Sequence, residues 1–322
     1  MHIQRPQFIP QTVAEPSPNV PVPPPVEQPN GPVIASDTPV TRSRREVAAT
    51  PGSSSRTVEA STLDKVDDPK LEIKKTASSP NGLFAVSYSI PAAGSGLNNI
   101  TFPMTIDEGL QRKSAQDGGI YYAMLFDVRN EQGKSLDGGY IGIQPRQDGK
   151  ALVMFSGFGS HFSAPKGRAE ADGGKGGSNS TLVDFEFGHK YNLTVTRDPD
   201  NPQRLKGYIQ DVTDPAHPGV KQHVEDLDVD QKFELAASNT GFVEHYGAAI
   251  SRSSQIAPTR GSFFAPFTTE ADGTVKAGEV RSDGFYGRYK NAMIGDQEVT
   301  KVAGKGQEVY FTFQGAGYGA KA

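Results

Sequence analysis

The stretch GGYIGIQPRQDGKALVMFSGFGS, residues 138–160, decides the fold class of this chain. Its two halves are rich in β-branched, aromatic and aliphatic side chains, and the Gln-Asp-Gly at 147–149 between them is a turn signal. Glycines at 138–139 and 157–159 bracket the stretch, and glycine at such places permits a positive φ or a close backbone approach. The pattern predicts a β-hairpin whose two strands lie in the centre of a sheet.

Working outward, short segments with period-two alternation or apolar runs predict further strands. These segments are residues 82–90, 100–106, 120–128, 181–187, 191–196 and 205–212. The continuous apolar run at 120–128 is typical of a strand buried on both faces. Residues 191–196 are predicted to return beside 181–187 as a hairpin, and the glycine-rich residues 164–180 are predicted to form a long loop.

The pattern as a whole predicts an all-β domain, an antiparallel β-sandwich of jelly-roll or lectin-like type. No length of chain shows a sustained helical period, and no alternation of strand and helix appears. Residues 1–62 are polar and rich in proline and serine, a composition that cannot bury a core, so we expect them to be disordered. The predicted organisation is a disordered leader at 1–62 and a single sandwich domain at 63–322.

Composition excludes several classes of protein. The chain has no cysteine, so no disulfide holds it together. A net charge of -4 argues against nucleic-acid binding, which depends on clustered Lys and Arg. No apolar run approaches the roughly 20 residues that a membrane span needs, so the sequence predicts no span.

The first residues resemble the amino-terminal export signals of type III secretion effectors from plant-associated bacteria. That pattern has an aliphatic residue at position three or four, no acidic residue in the first dozen, and a polar Ser- and Pro-rich continuation. Here Ile3 is the aliphatic residue and Glu15 is the first acidic one. The resemblance implies a protein that is secreted and possibly injected into a host cell.

Five motifs resemble a second group, the secreted bacterial domain-of-unknown-function 3472 family. They are GGYIGIQ at 138–144, VMFS at 153–156, the glycine-rich loop at 172–177, FEFGHKYNLTV at 185–195 and GFVEHYG at 241–247. Members commonly carry a Trp after the FS pair, where this chain has Gly157 and Phe158. The family often accompanies carbohydrate-binding modules, so the resemblance implies association with a glycan.

Candidate catalytic residues are Gln144, Glu186 and Glu244, which we expect to converge on a concave sheet face as the carboxyl groups of sugar-cleaving sandwiches do. Strand alternation places Glu244 and Tyr246 on one face and His245 on the other. The candidate binding residues are Tyr140, Phe158, Tyr246, Arg260 and Tyr286. Aromatic rings of this kind stack on sugars or anchor protein partners.

The sequence predicts no metal and no cofactor. Gly173-Gly-Lys-Gly-Gly177 lacks the spacing of a phosphate-binding loop, and the histidines lack the spacing of a zinc site. Asp198 and Asp200 alternate as calcium ligands do, but the neighbouring prolines make an ordinary turn the preferred interpretation.

Three functions follow from these observations. The first is an exported effector whose sandwich binds a host protein or a glycan. The second is an extracellular carbohydrate-active enzyme, a polysaccharide lyase or hydrolase. The third is a glycan-binding adhesin with a proline-rich stalk.

Overall fold

The computed structural model describes residues 81–91, 96–114, 116–172, 174–248, 250–302 and 306–319. The predicted leader at 1–62 and the predicted boundary at residue 63 lie outside the described residues. The described part of the chain is built of β-strands and two short 3-10 turns, Ser253–Gln255 and Lys290–Ala292. The all-β prediction is confirmed.

The strands follow one another in this order along the chain: β1 (Gly82–Ser89), β2 (Asn99–Glu108), β3 (Gly119–Arg129), β4 (Ser135–Pro145), β5 (Lys150–Phe158), β6 (Phe162–Ser163), β7 (Arg168–Ala171), β8 (Gly174–Asp184), β9 (Lys190–Arg197), β10 (Arg204–Asp211), β11 (Gln222–Val229), β12 (Glu234–Leu235), β13 (Ser238–Tyr246), β14 (Thr259–Phe264), β15 (Phe267–Thr269), β16 (Val275–Ala277), β17 (Glu279–Phe285), β18 (Met293–Val302) and β19 (Gly306–Gly315).

These strands form two antiparallel sheets that pack face to face. The first sheet has the order β17-β1-β13-β3-β4-β5-β8-β7, with β12 beside β3. The second has the order β18-β19-β14-β2-β9-β10-β11-β6, with β15 between β2 and β16. The prediction of an antiparallel sandwich is therefore confirmed.

The hairpin predicted at 138–160 is present as β4 and β5, in the interior of the first sheet. Its turn has φ of 60° at Asp148 and 66° at Gly149, the left-handed backbone that the Asp-Gly pair favours. Strand β3 lies between β13 and β4 and is buried on both faces over most of its length, as its apolar run predicted.

A continuous hydrophobic core fills the space between the sheets. Aromatic rings connect the two layers: Tyr88 of the first sheet stacks on Phe102 of the second with ring centroids 5.3 Å apart. Phe84 contacts Phe311 across the same interface at 5.0 Å. Such pairs add to the stabilisation that comes from burying their apolar area.

The prediction of a long loop at 164–180 is wrong, because this segment forms β7 and most of β8. Residues 176–184 of β8 pair with β5. A Cβ at Gly177 would lie 2.3 Å from the backbone nitrogen of Ala164. Here glycine marks close packing of β8 against the end of β6, a strand of the second sheet, and not a mobile loop.

The hairpin predicted between residues 181–187 and 191–196 is also wrong. Strand β8 ends at Asp184 in the first sheet, whereas β9 pairs with β2 and β10 in the second. Gly188, at φ 80°, donates its N–H to the carbonyl of Ile106 in β2, so the chain crosses between the sheets at this point. Both segments are strands, but they belong to different layers.

Candidate functional site on the outer face of the first sheet

The outer face of the first sheet carries a hydrophobic cluster separate from the main core. Tyr121 of β3, Tyr140 of β4 and Phe242 of β13 are buried there, and we call these three residues the aromatic floor. Strand alternation explains their position, because the neighbours of each residue along its own strand point into the sandwich. Phe158, Tyr246 and Tyr286 are half-buried and pack against this cluster.

The rings of the aromatic floor meet edge to face. Tyr121 lies 5.2 Å from Tyr140 and 5.8 Å from Phe242, measured between ring centroids. Phe158 contacts Tyr140 at 5.2 Å and Tyr246 contacts Tyr121 at 6.5 Å, also edge to face. These are preferred geometries for aromatic pairs, so the cluster holds its shape by ring packing.

Gly142 of β4 makes room for the aromatic floor. A Cβ at this position would lie 2.6 Å from Cε2 of Tyr121 and 2.5 Å from Cβ of Ala123. The glycine inside the GGYIGIQ motif therefore allows the Tyr121 ring to lie over β4.

Glu244 of β13 points into this cluster. On β3, Glu244 lies opposite Tyr121. On β1 it lies opposite Gly82, and the ring of Tyr286 lies against that glycine. Glu244 is half-buried, and no hydrogen bond or ion pair joins its carboxyl group to the described residues. Burial, with a smaller contribution from the charge of Asp172, raises the pKa of Glu244 to about 8. The side chain is therefore largely protonated at neutral pH.

Two phenol groups complete the centre of the site. The hydroxyl of Tyr140 donates a hydrogen bond of 2.9 Å to Oδ1 of Asp172, a residue with φ of 49° in the turn between β7 and β8. The hydroxyl of Tyr121 is buried and has no partner among the described residues. A buried unpaired hydroxyl costs about 1–3 kcal/mol of folding free energy.

At one end of the face, Arg146 joins two side chains. Its Nη1 donates to the hydroxyl of Tyr246, and its Nη2 donates to Oε1 of Gln144 at 2.8 Å. Tyr122 of β3 pairs with Ile143 of β4, and the strands are antiparallel, so Gln144 lies opposite Tyr121. Since neighbouring strands are about 4.8 Å apart, Gln144 and Glu244 are separated by roughly 10 Å at their Cα atoms.

The structure brings together most of the predicted site residues. Six of them lie on this face, namely Gln144 and Glu244 of the catalytic prediction and Tyr140, Phe158, Tyr246 and Tyr286 of the binding prediction. His245 points the other way and is buried, as alternation predicted.

Glu186 and Arg260 lie elsewhere, so the expected convergence of Glu186 with Gln144 and Glu244 does not occur. Glu186 is exposed beyond the end of β8, where its Oε2 lies 3.3 Å from Nε2 of His189. Arg260 is in β14 of the second sheet, with Nη2 3.9 Å from Oε2 of Glu108. Glu186 misses the site because β8 ends at Asp184, so this residue lies in the connection that crosses to the second sheet. Arg260 misses it because β14 pairs with β19 and β2 in the second sheet, a long-range pairing that no local pattern displays.

Several residues of the site were not singled out from the sequence. Phe242 lies two residues before Glu244 on β13, so the alternation that placed Glu244 and Tyr246 also reaches it. Arg146 and Asp172 follow strand ends in turns, where no periodicity indicates direction. No local signal in the sequence points to these last two.

No group of three or more His, Asp or Glu side chains suited to a metal ion occurs within the described ranges. Asp198, considered above as a calcium ligand, receives Nζ of Lys206 at 2.9 Å and the N–H of Asp200 at 3.1 Å. The hydrogen bond from Lys206 is the main reason that the pKa of Asp198 is lowered. This geometry is that of a turn closed by an ion pair.

Among the residues with a described conformation, no helix has the length and apolar character needed to cross a membrane.

Comparison with known proteins leaves the family open. No protein-family model matches the chain, and no curated protein matches it. One solved structure that it resembles is the CBM2 module of the evolved Dit of Lactobacillus casei BL23 phage J-1, at 10% identity, covering 52% of this chain and 70% of that one. The TM-score is 0.21, too low to indicate a shared fold or function.

Proposed function

We propose that this protein is a secreted bacterial effector whose β-sandwich binds a glycan on the outer face of the first sheet. The observation that carries the binding proposal is Glu244, a half-buried carboxyl group without a partner that stands among aromatic rings. Rings offer flat apolar contact to the C–H face of a sugar, and a few polar groups fix its orientation. A host protein is the other partner class, and the binding test separates the two.

Binding is tested with the purified full chain and a panel of plant and bacterial polysaccharides, by affinity electrophoresis and calorimetry. We expect Phe158→Ala and Tyr286→Ala each to weaken binding about tenfold, because both rings are half-exposed and pack on the aromatic cluster of this face. Tyr208→Ala is the matched control, since Tyr208 is a half-buried ring in β10 of the second sheet. Equal loss in all three variants, or binding to no polysaccharide, would contradict the proposal and favour a protein partner.

Export is supported by the composition of residues 1–62, which resembles type III secretion leaders. The test fuses these residues to a reporter that is active only in eukaryotic cytosol, in bacteria with and without a working injection apparatus. We expect a signal that requires the apparatus. Retention of the protein at the bacterial surface would instead favour the adhesin.

A second candidate is a polysaccharide-cleaving enzyme, and the pKa of Glu244 favours it. A carboxyl group protonated near neutral pH is suited to general acid catalysis, and Asp172 supplies a second carboxyl group whose charge acts on the first. We expect Glu244→Gln to abolish release of sugar ends while binding persists. Glu186→Gln, which changes a carboxylate outside the site, is the control and keeps activity.

A further inference from the structure

Two arginines converge on one aromatic ring at the end of the aromatic floor. The backbones of Arg112 and Arg146 form a parallel β-bridge, and the N–H of Arg112 donates to the carbonyl of Pro145 at 3.1 Å. Their guanidinium carbons lie 5.3 Å and 5.6 Å from the ring centroid of Tyr246. The two guanidinium groups therefore concentrate positive charge around one ring, where each makes a cation–π contact.

The polar groups of this corner are hydrogen-bond donors. Arg146 uses one N–H for the Tyr246 hydroxyl and one for Oε1 of Gln144, and a guanidinium has five, so three remain. Arg146 has no carboxylate partner among the described residues. The Oε1 of Gln144 already accepts from Arg146, so its amide contributes its two N–H donors.

Tyr246 adds a further donor. Its oxygen accepts from Arg146, which leaves the hydroxyl proton for another group. Burial raises the pKa of Tyr246, although both arginines act in the opposite direction, so the phenol keeps its proton at neutral pH. The corner therefore combines guanidinium, amide and hydroxyl donors next to a half-exposed ring.

We propose that this corner, formed by Arg146, Gln144 and Tyr246 with Arg112 beside them, binds the carboxylate of an acidic glycan, a polymer that contains uronic acid. The proposal rests on the glycan binding proposed above and names its substrate class. The sugar that bears the carboxylate contacts Tyr246, and the chain continues over the aromatic floor past Glu244.

The chemistry favours a carboxylate on a sugar over a nucleic-acid phosphate. The planar guanidinium of Arg146 keeps three N–H donors in one plane, a fork of the kind that matches the two oxygens of a carboxylate. The corner is local, whereas a nucleic acid needs an extended positive surface, and the chain has a net charge of -4. The neighbouring aromatic rings fit the apolar faces of pyranose rings.

The test compares polygalacturonate, its fully methyl-esterified form, a neutral glucan and dextran sulfate as ligands of the purified full chain. We expect polygalacturonate to bind at least ten times more tightly than its methyl ester, because esterification removes the charge and leaves the sugar backbone unchanged. We expect Arg146→Gln to lower the affinity for polygalacturonate at least tenfold and to leave the weak binding of the ester unaltered. Arg260→Gln, in the second sheet, is the charge-matched control and binds like the parent protein.

Arg146→Lys is a second variant in case Arg146→Gln does not fold. It keeps the positive charge and removes the planar N–H donors of the guanidinium. We expect an intermediate affinity from a protein with an unchanged melting temperature. Equal binding of polygalacturonate and its ester, or unchanged affinity in Arg146→Gln, would overturn the acidic-ligand proposal while leaving glycan binding intact. Equal binding of dextran sulfate would overturn carboxylate recognition, and binding to no glycan would overturn both proposals.

Discussion

At the scale of single residues, Glu244 shows how position determines chemistry. An ordinary glutamate is ionised at neutral pH, but here the rings of Tyr121 and Tyr286 flank the half-buried side chain and reduce its contact with water. No described cation pairs with the carboxyl group, and the charge of Asp172 adds to the effect of burial. A protonated carboxyl group donates a hydrogen bond, so Glu244 contributes a donor as well as acceptors to the site.

We expect the contribution of Glu244 to the stability of the protein to fall as pH rises from about 4.5 to about 8. The folded state holds the Glu244 proton up to a pKa of about 8, whereas the unfolded chain releases it near the ordinary glutamate pKa of 4.5, so the folded state binds more protons in this window. Glu244→Gln removes this dependence and is more stable than the parent above pH 8. Full conversion at about 1.4 kcal/mol per pKa unit would give roughly 5 kcal/mol, and we expect about 3 kcal/mol because the half-buried side chain keeps some contact with water. Urea unfolding at pH 5, 7 and 9 measures the difference.

Glu170→Gln serves as the control, because Glu170 is exposed in β7. We expect its stability to follow that of the parent protein at all three pH values. A Glu244→Gln variant with the same pH profile as the parent would contradict the assignment of a raised pKa to Glu244.

At the scale of elements, β8 differs most from its sequence pattern. Its polar side chains connect the two sheets: Asn179 donates to the carbonyl of Asp226 at 2.8 Å, and Thr181 donates to the carbonyl of Val224 at 2.7 Å. Both acceptors belong to β11. Small and polar residues are compatible with a strand here because β5 provides a partner along its length.

We expect Gly177→Ala to destabilise the protein by about 1–3 kcal/mol, because the added Cβ meets backbone atoms of Ser163 and Ala164 at 2.5 Å and 2.3 Å. Gly174→Ala, in the same strand, is the matched control, since its nearest contact is 3.5 Å from the added Cβ. Thermal and urea unfolding distinguish the two variants. Similar stability in both would indicate that residues 174–177 behave as a loop.

At the scale of the whole molecule, the first sheet is buried on two sides by different means. Its inner face packs on the second sheet through the main core, and part of its outer face is covered by its own aromatic cluster. The inner layer holds the sandwich together. No further sheet packs on the outer layer in the part of the chain that the structure describes. This layer supplies the surface that we propose for glycan binding.

We expect Phe102→Ala to cost about 3–5 kcal/mol, because Phe102 is fully buried between the sheets against Tyr88 and Phe263. Phe158→Ala, on the outer face, is the comparison, and we expect a cost of about 1 kcal/mol because Phe158 is half-exposed. Chemical denaturation measures both. Equal costs would contradict the division into a structural inner layer and a binding outer layer.

The sequence by itself determined the fold class, the central hairpin at 138–160, the buried strand at 120–128 and the shared face of Glu244 and Tyr246. These features depend on local patterns of period two and on turn residues, which a sequence displays directly. Only the tertiary structure decided which segments share a sheet. It moved Glu186 and Arg260 away from the site, made residues 174–180 a strand, and brought Arg146 and Asp172 to the aromatic face. The reason is that pairing between distant strands depends on contacts across the whole chain, and turn residues such as Arg146 and Asp172 acquire a direction only when those strands are in place.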